Sequence, residues 1–565
     1  MTARPVPSGY DDLLVADPAG APAEPVPPAR GDQARGDRNG GDRDRSAHRA
    51  PDVSLRWFLL LGLAGTIAIL CGVILGGTAF ESRLPGAWFF GTPGGPLGSV
   101  GPAGSRAPIE AVLAVYGGLA VLAITWARLA RVLWRHPGVP VRRVVKVVAA
   151  WAVPILIAPP LFSRDVYSYA GQGEMVSHHI NPYLYGPGVL GATPFNNLAG
   201  QLWSNTPSPY GPTFLSLDGI VTRLADHQVL ADLVLLRLLA VLGVLLIAAG
   251  LPTLARAAGR DPAAALVLGV GSPVVLTTLI GGAHNDALMV GLLVAGLAVA
   301  RRFGPVPGIV LCALAVGVKA PAALAVVFLG WNWPGPVASL RARIGRTAAA
   351  LGITAVVLAV LSWVTGLGWG WVHTVTAESK VNTGVTPVYA VAHVVTDLAH
   401  LVGLQVGLGG VRTGVSALGL LTAAIITVVL LWRSPRIGTV QALGLSLLAV
   451  ALLSPVLWAW YATWGLVVLA PVVVGRLRRA VIILSVIEAA VGVSAVYGMA
   501  SMVLTAGILN DLLLLFGMVA VILLAARAFR DYDEDPLLRL PWSGHRADHP
   551  AGVTVTAIQR PQTAQ

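Results

Sequence analysis

Polar and apolar positions fall along this chain in long blocks. Runs rich in Ala, Val, Leu, Gly and Ile occupy 57–79, 109–133, 144–162, 229–250, 263–281, 287–300, 306–318, 321–332, 347–366, 411–432, 438–455, 461–475, 480–500 and 510–527. Many of them approach the roughly 20 residues that a helix needs to cross a hydrocarbon core. A chain solvated by lipid must satisfy its backbone internally, which selects helices. The pattern predicts an all-α integral membrane protein, a multi-pass bundle of about 13–14 transmembrane helices. Extracytoplasmic loops containing short helices would join them, and both termini would lie on one side. Residues 1–52 and 533–565 are polar, and they read as disordered cytoplasmic tails around a polytopic domain at 53–532. The first tail is too long and polar for the start of a signal peptide.

The gaps between runs set an orientation. Arg128, Arg131, Arg135, Arg142, Arg143 and Lys146 share one gap. Arg256 with Arg260, Arg301 with Arg302, Arg341 with Arg343 and Arg346, Arg433 with Arg436, Arg476 with Arg478 and Arg479, and Arg527 with Arg530 fall in others. The alternate gaps hold scattered cations only, so the arginine-rich set is expected on the cytoplasmic side. Two arginine-rich gaps flank 306–332, a stretch too short for two full spans. Val318-Lys319-Ala320-Pro321 interrupts it, and proline disfavours helix in the residue before it. The expectation is a hairpin of two short helices with Lys319 at its tip; a single kinked helix is the alternative.

Composition agrees. Hydrophobic residues make up 55% of the 565 and charged residues 12%, against about 25% charged in soluble domains. The net charge of +12 is spread between apolar runs and not along one basic face, so no nucleic-acid partner is expected. Cys71 and Cys312 lie in separate apolar runs, giving no disulfide framework or metal-ligand spacing. The expected partner surface is the bilayer.

Reactive polar residues gather in the alternate gaps. The longest gap opens with Ser163-Arg164-Asp165-Val166-Tyr167-Ser168-Tyr169, then Gln172, Glu174, His178-His179, Asn181-Pro182-Tyr183 and Ser208-Pro209-Tyr210-Gly211-Pro212. Aromatic and amide side chains at this density suit sugar stacking and hydrogen bonding. Asp165, directly after an apolar run, is placed to take a proton from an acceptor hydroxyl; an Arg164–Asp165 pair capping the next helix is the other reading. If 165–177 is helical, Glu174 lies about 180° around the helix from Asp165, while Gln172 lies near the Asp165 face. His178 and His179 point about 100° apart on a helix, and with no carboxylate four residues after them they read as headgroup or sugar contacts. His284, Asn285 and Asp286 lie between two apolar runs, where ionisable groups are costly and usually functional; a helix-capping turn is the alternative. Lys319 suits a phosphate leaving group or a snorkelling stem. Glu378 and Lys380 add a possible acceptor or phosphate site in a loop with Trp369, Trp371 and Tyr389. Trp458, Trp460 and Tyr461 read chiefly as an interfacial belt.

The four motifs Ser163–Tyr169, Asn181–Tyr183, Ser208–Pro212 and Gly282–Ala287, in this order, resemble the actinobacterial polyprenyl-phosphomannose-dependent α-1,6-mannopyranosyltransferases of the GT-C superfamily. The resemblance covers about 55–530, and size and the long first tail resemble the MptB branch, which begins the lipomannan backbone, more than the MptA branch, which extends it. It implies a mannose donor carried on polyprenyl phosphate, a glycolipid or mannan acceptor, and inverting transfer in lipomannan and lipoarabinomannan synthesis at the plasma membrane. It implies no cofactor and no metal. By motif position it makes Asp165 the base. Many relatives of the superfamily carry this carboxylate in their first loop; here that loop, 80–108, holds only Glu81 in its interior. Transfer of arabinofuranose or another hexose is a competing expectation. So is a lipid-linked sugar transporter, which would call for midplane charges and repeated halves.

Overall fold

A computed structural model describes residues 54–76, 109–374 and 386–497. Both predicted tails, the loop 80–108, the run 510–527, and Glu378 and Lys380 lie outside the described residues. Among the described residues the protein is all α, with no strand.

Helix α1 (Arg56–Gly76) packs on α2 (Ile109–Arg135), and α3 (Val141–Ile157) follows. Three short helices occupy the long polar gap: α4 (Asp165–Ser177), α5 (Pro194–Ser204) and α6 (Pro212–Leu224). Then come α7 (Val229–Ala257), α8 (Pro262–Gly269), a π-helical turn at Val275–Gly281 and α9 (Asp286–Phe303). Next are α10 (Pro305–Val316), α11 (Ala323–Asn332), α12 (Leu340–Val364) and the single turn α13 (Trp371–Thr374). The described chain closes with α14 (Pro387–Leu401), α15 (Leu408–Ile437), α16 (Thr439–Leu453), α17 (Thr463–Leu469) and α18 (Gly475–Tyr497). Local chemistry sets many starts. Proline occupies the first turn of α5, α6, α8, α10 and α14, where its missing N–H costs nothing. The Asp261, Ser339 and Thr386 side chains accept from the backbone N–H of Ala264, Ala342 and Tyr389.

Five helices, α1, α2, α7, α12 and α15, are long and apolar enough to cross a membrane. The π turn and α9 add a sixth if counted as one span, bent by 110° at the break 282–285. The predicted apolar runs within the described residues are largely helical, but several form helices of 10–17 residues, shorter than these spans. The lipid-solvated surface is visible on α15, where Leu418, Leu421, Ile425, Val428 and Trp432 are exposed.

The expected hairpin at 306–332 is present. Gly308 on α10 meets Gly296 and Ala300 on α9, so the two run antiparallel. Gly317 lies against Leu358 and Gly330 against Thr347 and Ala350, so α11 runs back along α12. Lys319 takes the extended conformation at the tip (φ −153°, ψ 135°), as a residue before proline should. Because α10 and α11 have 12 and 10 residues, each is roughly 15–18 Å long. The tip is therefore recessed within the bundle.

Without a hydrophobic drive between helices in lipid, close packing at small residues holds them together. At the α7–α9 crossing, a Cβ on Gly291 would lie 2.3 Å from the Gly243 carbonyl oxygen. Gly291→Leu should therefore force α9 away from α7 and abolish the monodisperse detergent-solubilised protein on size-exclusion chromatography. Gly352→Leu, on an exposed part of α12 with open space at its Cβ, should leave that peak unchanged.

Candidate active site

The break between the π turn and α9 creates the site. Residues 282–285 leave the helical path, with Ala283 in the left-handed region at φ 54°. Across from it, the end of α3 passes through Phe162 at φ 55° before α4 begins at Asp165. Two non-glycine residues in that region cost about 1–3 kcal/mol each and persist only where surrounding contacts hold them. Here the holding contacts are Leu161 N–H to the Gly281 carbonyl at 2.9 Å and the guanidinium of Arg237. From α7, Arg237 donates to the carbonyls of Leu156 (3.0 Å), Ala158 and Gly281 (2.8 Å).

This clamp brings two predicted motifs together. Asp165 Oδ2 lies 3.4 Å from His284 Nδ1, within ion-pair reach, though the pair is not aligned as a hydrogen bond. The Asp165 backbone N–H donates to Ser163 Oγ at 3.1 Å, and its carboxylate sits at a helix N-terminus, where negative charge is favoured. His284 is stacked on Trp460 with ring centroids 3.7 Å apart. Tyr169 donates to Asn285 Oδ1 at 3.4 Å and feels both the Asp165 and Asp286 charges.

Beside it, Asp286 is fully buried and bound by two donors, Lys319 Nζ at 3.3 Å and Trp464 Nε1 at 2.6 Å. The Lys319 ammonium also lies over the Tyr461 ring, 4.3 Å from its centroid, and 5.6 Å from those of Tyr210 and Trp464. The Ser208–Pro212 motif seats the hairpin tip that carries it. Gly211 N–H donates to the Val318 carbonyl and Phe214 N–H to that of Gly317. A Cβ on Gly211 would come 2.5 Å from the Gly317 oxygen, so only glycine lets the strands of backbone approach this closely. Two buried donors in this wall, Asn285 Nδ2 and Trp460 Nε1, have no hydrogen-bond partner among the described residues. Such groups are costly to leave unmade, and they are suited to sugar or phosphate oxygens.

Other predicted residues fall elsewhere. Helix α4 covers 165–177, so Glu174 is on the face opposite Asp165, as the helical arithmetic requires. Glu174 is held by His178 and by His227 of the α6–α7 turn, at 3.0 and 2.7 Å. No carboxylate stands four residues after either histidine, but Glu174 stands four residues before His178, on the same helix face. His179 is exposed at φ 58° beyond the helix end. Gln172 lies on the Asp165 face, bonded to Ser168 and Ser208 at 3.2 and 2.9 Å. The loop aromatics do not present open stacking faces. Tyr167, Tyr169, Tyr183 and Tyr210 are buried, with 1–4% exposure. Burial raises the Tyr183 hydroxyl above the usual phenol range. Tyr167 packs near the charges of Arg237 and Arg164, and Arg164 occupies the N-cap position of α4 without a side-chain capping bond. The Asn181–Tyr183 motif is a docking turn. Asn181 Oδ1 accepts from Tyr183 N–H at 2.9 Å, its amide reaches the Leu367 carbonyl at 3.5 Å, and Tyr183 packs on Gly370.

The belt reading of 458–461 is also corrected. Trp460, Tyr461 and Trp464 are 3–5% exposed and wall the site, because a short helical turn at 459–462 after Ser454-Pro455 folds them inward. Arg237 escaped the sequence reading altogether. A single arginine inside the apolar run 229–250 was the signal that could have found it.

A carboxylate beside an imidazole, and a buried ammonium beside aromatic rings, belong to a membrane-embedded enzyme that moves a polar group. Comparison gives the family. Residues 59–335 match the family described as alpha-(1→6)-mannopyranosyltransferase, N-terminal domain, and residues 388–529 match the MptB C-terminal domain. The chain is 30% identical over 460 residues to a probable alpha-(1→6)-mannopyranosyltransferase of Mycolicibacterium smegmatis, covering 74% of this chain and 79% of that one. It is 34% identical over 380 residues to alpha-(1→6)-mannopyranosyltransferase A of Mycobacterium tuberculosis, covering 65% and 72%. It is 27% identical over 462 residues to alpha-(1→6)-mannopyranosyltransferase B of Corynebacterium glutamicum, covering 73% and 72%. No solved structure matches. The chain belongs to the alpha-(1→6)-mannopyranosyltransferase family, and it is a multi-pass membrane glycosyltransferase.

The clamp can be tested directly. Arg237→Met removes a donor from three carbonyls in an apolar interior; Gly281 keeps the Leu161 N–H, while an unpaired carbonyl costs about 1–3 kcal/mol. The variant should unfold at a markedly lower temperature by tryptophan fluorescence. An unchanged midpoint in detergent would show that the clamp contributes nothing.

Proposed function

We propose that this protein transfers mannose from polyprenyl-phosphate-mannose to the 6-hydroxyl of a lipid-linked mannan acceptor, with inversion, on the extracytoplasmic face of the plasma membrane. The observation that carries the proposal is the pairing of Asp165 with His284 beside the Lys319 ammonium. The relatives named as alpha-(1→6)-mannopyranosyltransferases support the sugar and the linkage. The side is supported by the arginine-rich gaps. They meet at other places in the bundle, for example where Arg478 lies 3.7 Å over Trp134 and Gly138 N–H donates to Asp261. A GT-C transferase of lipomannan and lipoarabinomannan synthesis fits these features.

The chemistry needs no step outside this wall. The acceptor hydroxyl gives its proton to Asp165 as its oxygen attacks the anomeric carbon. The bond from that carbon to the phosphate oxygen breaks, and its electron pair leaves on polyprenyl phosphate. His284, steadied by Trp460, flanks the base that gains the proton. Lys319 stabilises the negative charge gathering on the phosphate, while Asn285 Nδ2 and Trp460 Nε1 supply N–H groups to sugar or phosphate oxygens. Inversion requires the base and the leaving group on opposite sides of the anomeric carbon, as in inverting hydrolysis.

Two measurements test this in membranes supplied with polyprenyl-phosphate-mannose and a short α-1,6-mannoside. Asp165→Asn keeps the shape and removes the base, and should lose at least about 100-fold in transfer at equal abundance. Equal rates would make Asp165 a structural cap. No transfer by the wild-type chain, with activity on an arabinofuranosyl or other hexosyl donor, would change the sugar. Lys319→Met alone strands a buried carboxylate, a loss of about 3–5 kcal/mol, so the informative variant is Lys319→Met with Asp286→Asn. It should fold and still lose about 100-fold or more in kcat.

A further inference from the structure

From the second polar cluster of the same gap, we infer a divalent-cation site formed by Glu174, His178 and His227. The cluster uses none of the residues assigned above to transfer. Glu174 Oε1 is 3.0 Å from His178 Nε2 and Glu174 Oε2 is 2.7 Å from His227 Nδ1. The three candidate ligand atoms lie within 4.8 Å of one another. The two imidazole rings are 5.3 Å apart between centroids, inclined at 32°.

Three observations favour a metal over a simple hydrogen-bonded pair. First, the donor set is two imidazole nitrogens and one carboxylate oxygen from two segments 53 residues apart, the ligand types that zinc takes with an open fourth position for water. Ligands at about 2.0–2.2 Å around one tetrahedral ion stand about 3.3 Å from each other. The His178 separation, 3.0 Å to Oε1, is within a few tenths of an ångström of that, and the His227 separation, 2.7 Å to Oε2, is shorter by about 0.6 Å. Second, both imidazoles are half exposed, with side-chain exposures of 55% and 42%. Each can rotate to close the third side without repacking the core. Third, two carboxyl groups, those of Asp218 and Asp232, stand behind the cluster. Asp232 is within electrostatic reach of Glu174 and His227. Asp218 is fully buried with both carboxylate oxygens unpartnered among the described residues, and its Oδ1 would lie 2.8 Å from a Cβ on Gly173, the neighbour of Glu174. Burial raises the Asp218 carboxyl well above the usual carboxylate range, and a cation bound nearby would favour its ionised form.

Borderline ions with affinity for imidazole, Zn²⁺ first, fit this set better than Mg²⁺ or Ca²⁺, which demand oxygen. The bound ion would pin the C-terminal end of α4 to the α6–α7 turn. It would thereby brace the helix whose other end carries Asp165. The role is structural: the cluster stands at the far end of α4, on the opposite face from the base.

The test uses the full chain in detergent, purified without a histidine tag and stripped with chelator. Isothermal titration with Zn²⁺ should show one site per chain, and Zn²⁺ but not Mg²⁺ should raise the unfolding temperature. His178→Ala and His227→Ala should each weaken that site by about 10-fold or more, since loss even of an outer partner costs about 10–100-fold. Because the His178 side chain is exposed, its variant should fold as the wild type does. Co²⁺ substituted into the wild type should give visible ligand-field bands that His178→Ala removes. Stoichiometry, affinity and spectrum unaltered by both substitutions would place any zinc elsewhere and overturn the inference. So would a wild-type chain that takes up no Zn²⁺ and responds to pH alone, which would leave a proton-linked His–Glu–His clasp. Neither result touches the proposed transfer reaction, which is read separately from Asp165→Asn.

Discussion

A helix interrupted inside an apolar bundle leaves carbonyl groups without donors, where water is not at hand to replace them. In this protein two interruptions fall side by side, at the end of α3 and between the π turn and α9, and one guanidinium serves both. Arg237 donates to carbonyls on each. Its planar fork is suited to several oxygens at fixed angles, which a lysine ammonium would meet as a point charge. Everything in the site depends on those two breaks staying together, because Asp165 follows one and His284 lies in the other. The strained backbone at Phe162 and Ala283 is tolerable only because the clamp over-determines it.

The motifs around this clamp hold one another. Pro182 accepts from Ser208 N–H, and Ser208 Oγ donates to Gln172. Three residues on, Gly211 admits the hairpin tip, and the tip delivers Lys319 to Asp286. Several residues that look like substrate contacts in the sequence, Asn181, Tyr183 and Tyr210 among them, turn out to position others. In a lipid-solvated protein this is a reasonable use of polar side chains: each one buried must find a partner, and mutual partnering fixes a geometry that apolar packing alone leaves loose.

The fold was largely legible, because lipid imposes a coarse rule that sequence obeys openly. Apolar runs, arginine-rich gaps and the Lys319-Ala320-Pro321 interruption led to the helices and to the hairpin. Span count was less legible. A short apolar helix buried in protein reads like a membrane span, as α8, α10 and α11 show. The site was half legible. Motifs marked Asp165, His284 and Lys319, but not the pairing of Asp165 with His284, which are 119 positions apart in the chain and are brought together by tertiary contacts, the Arg237 clamp among them. Trp460 and Tyr461 were read as a belt because interface and site aromatics share a composition; burial separates them. His227 was invisible for a similar reason, since its partner lies 53 residues away.

The two acidic residues closest to the chemistry differ in what they have left to give. Asp286 is fully buried and receives Lys319 and Trp464, a carboxylate whose capacity is spent on fixing a cation. Asp165 keeps 8% exposure and has the His284 imidazole beside its side chain, at a distance and angle short of a good hydrogen bond. A general base must have a lone pair unclaimed until substrate arrives, and contacts around it often tighten only in the reacting complex. Partner count therefore separates Asp165, the proposed base, from Asp286, the anchor. His284 is held by its stack on Trp460 and not by Asp165, so the imidazole stays in place whether or not the carboxylate has taken its proton. That independence is what a carboxylate cycling between charged and neutral forms requires of its neighbour.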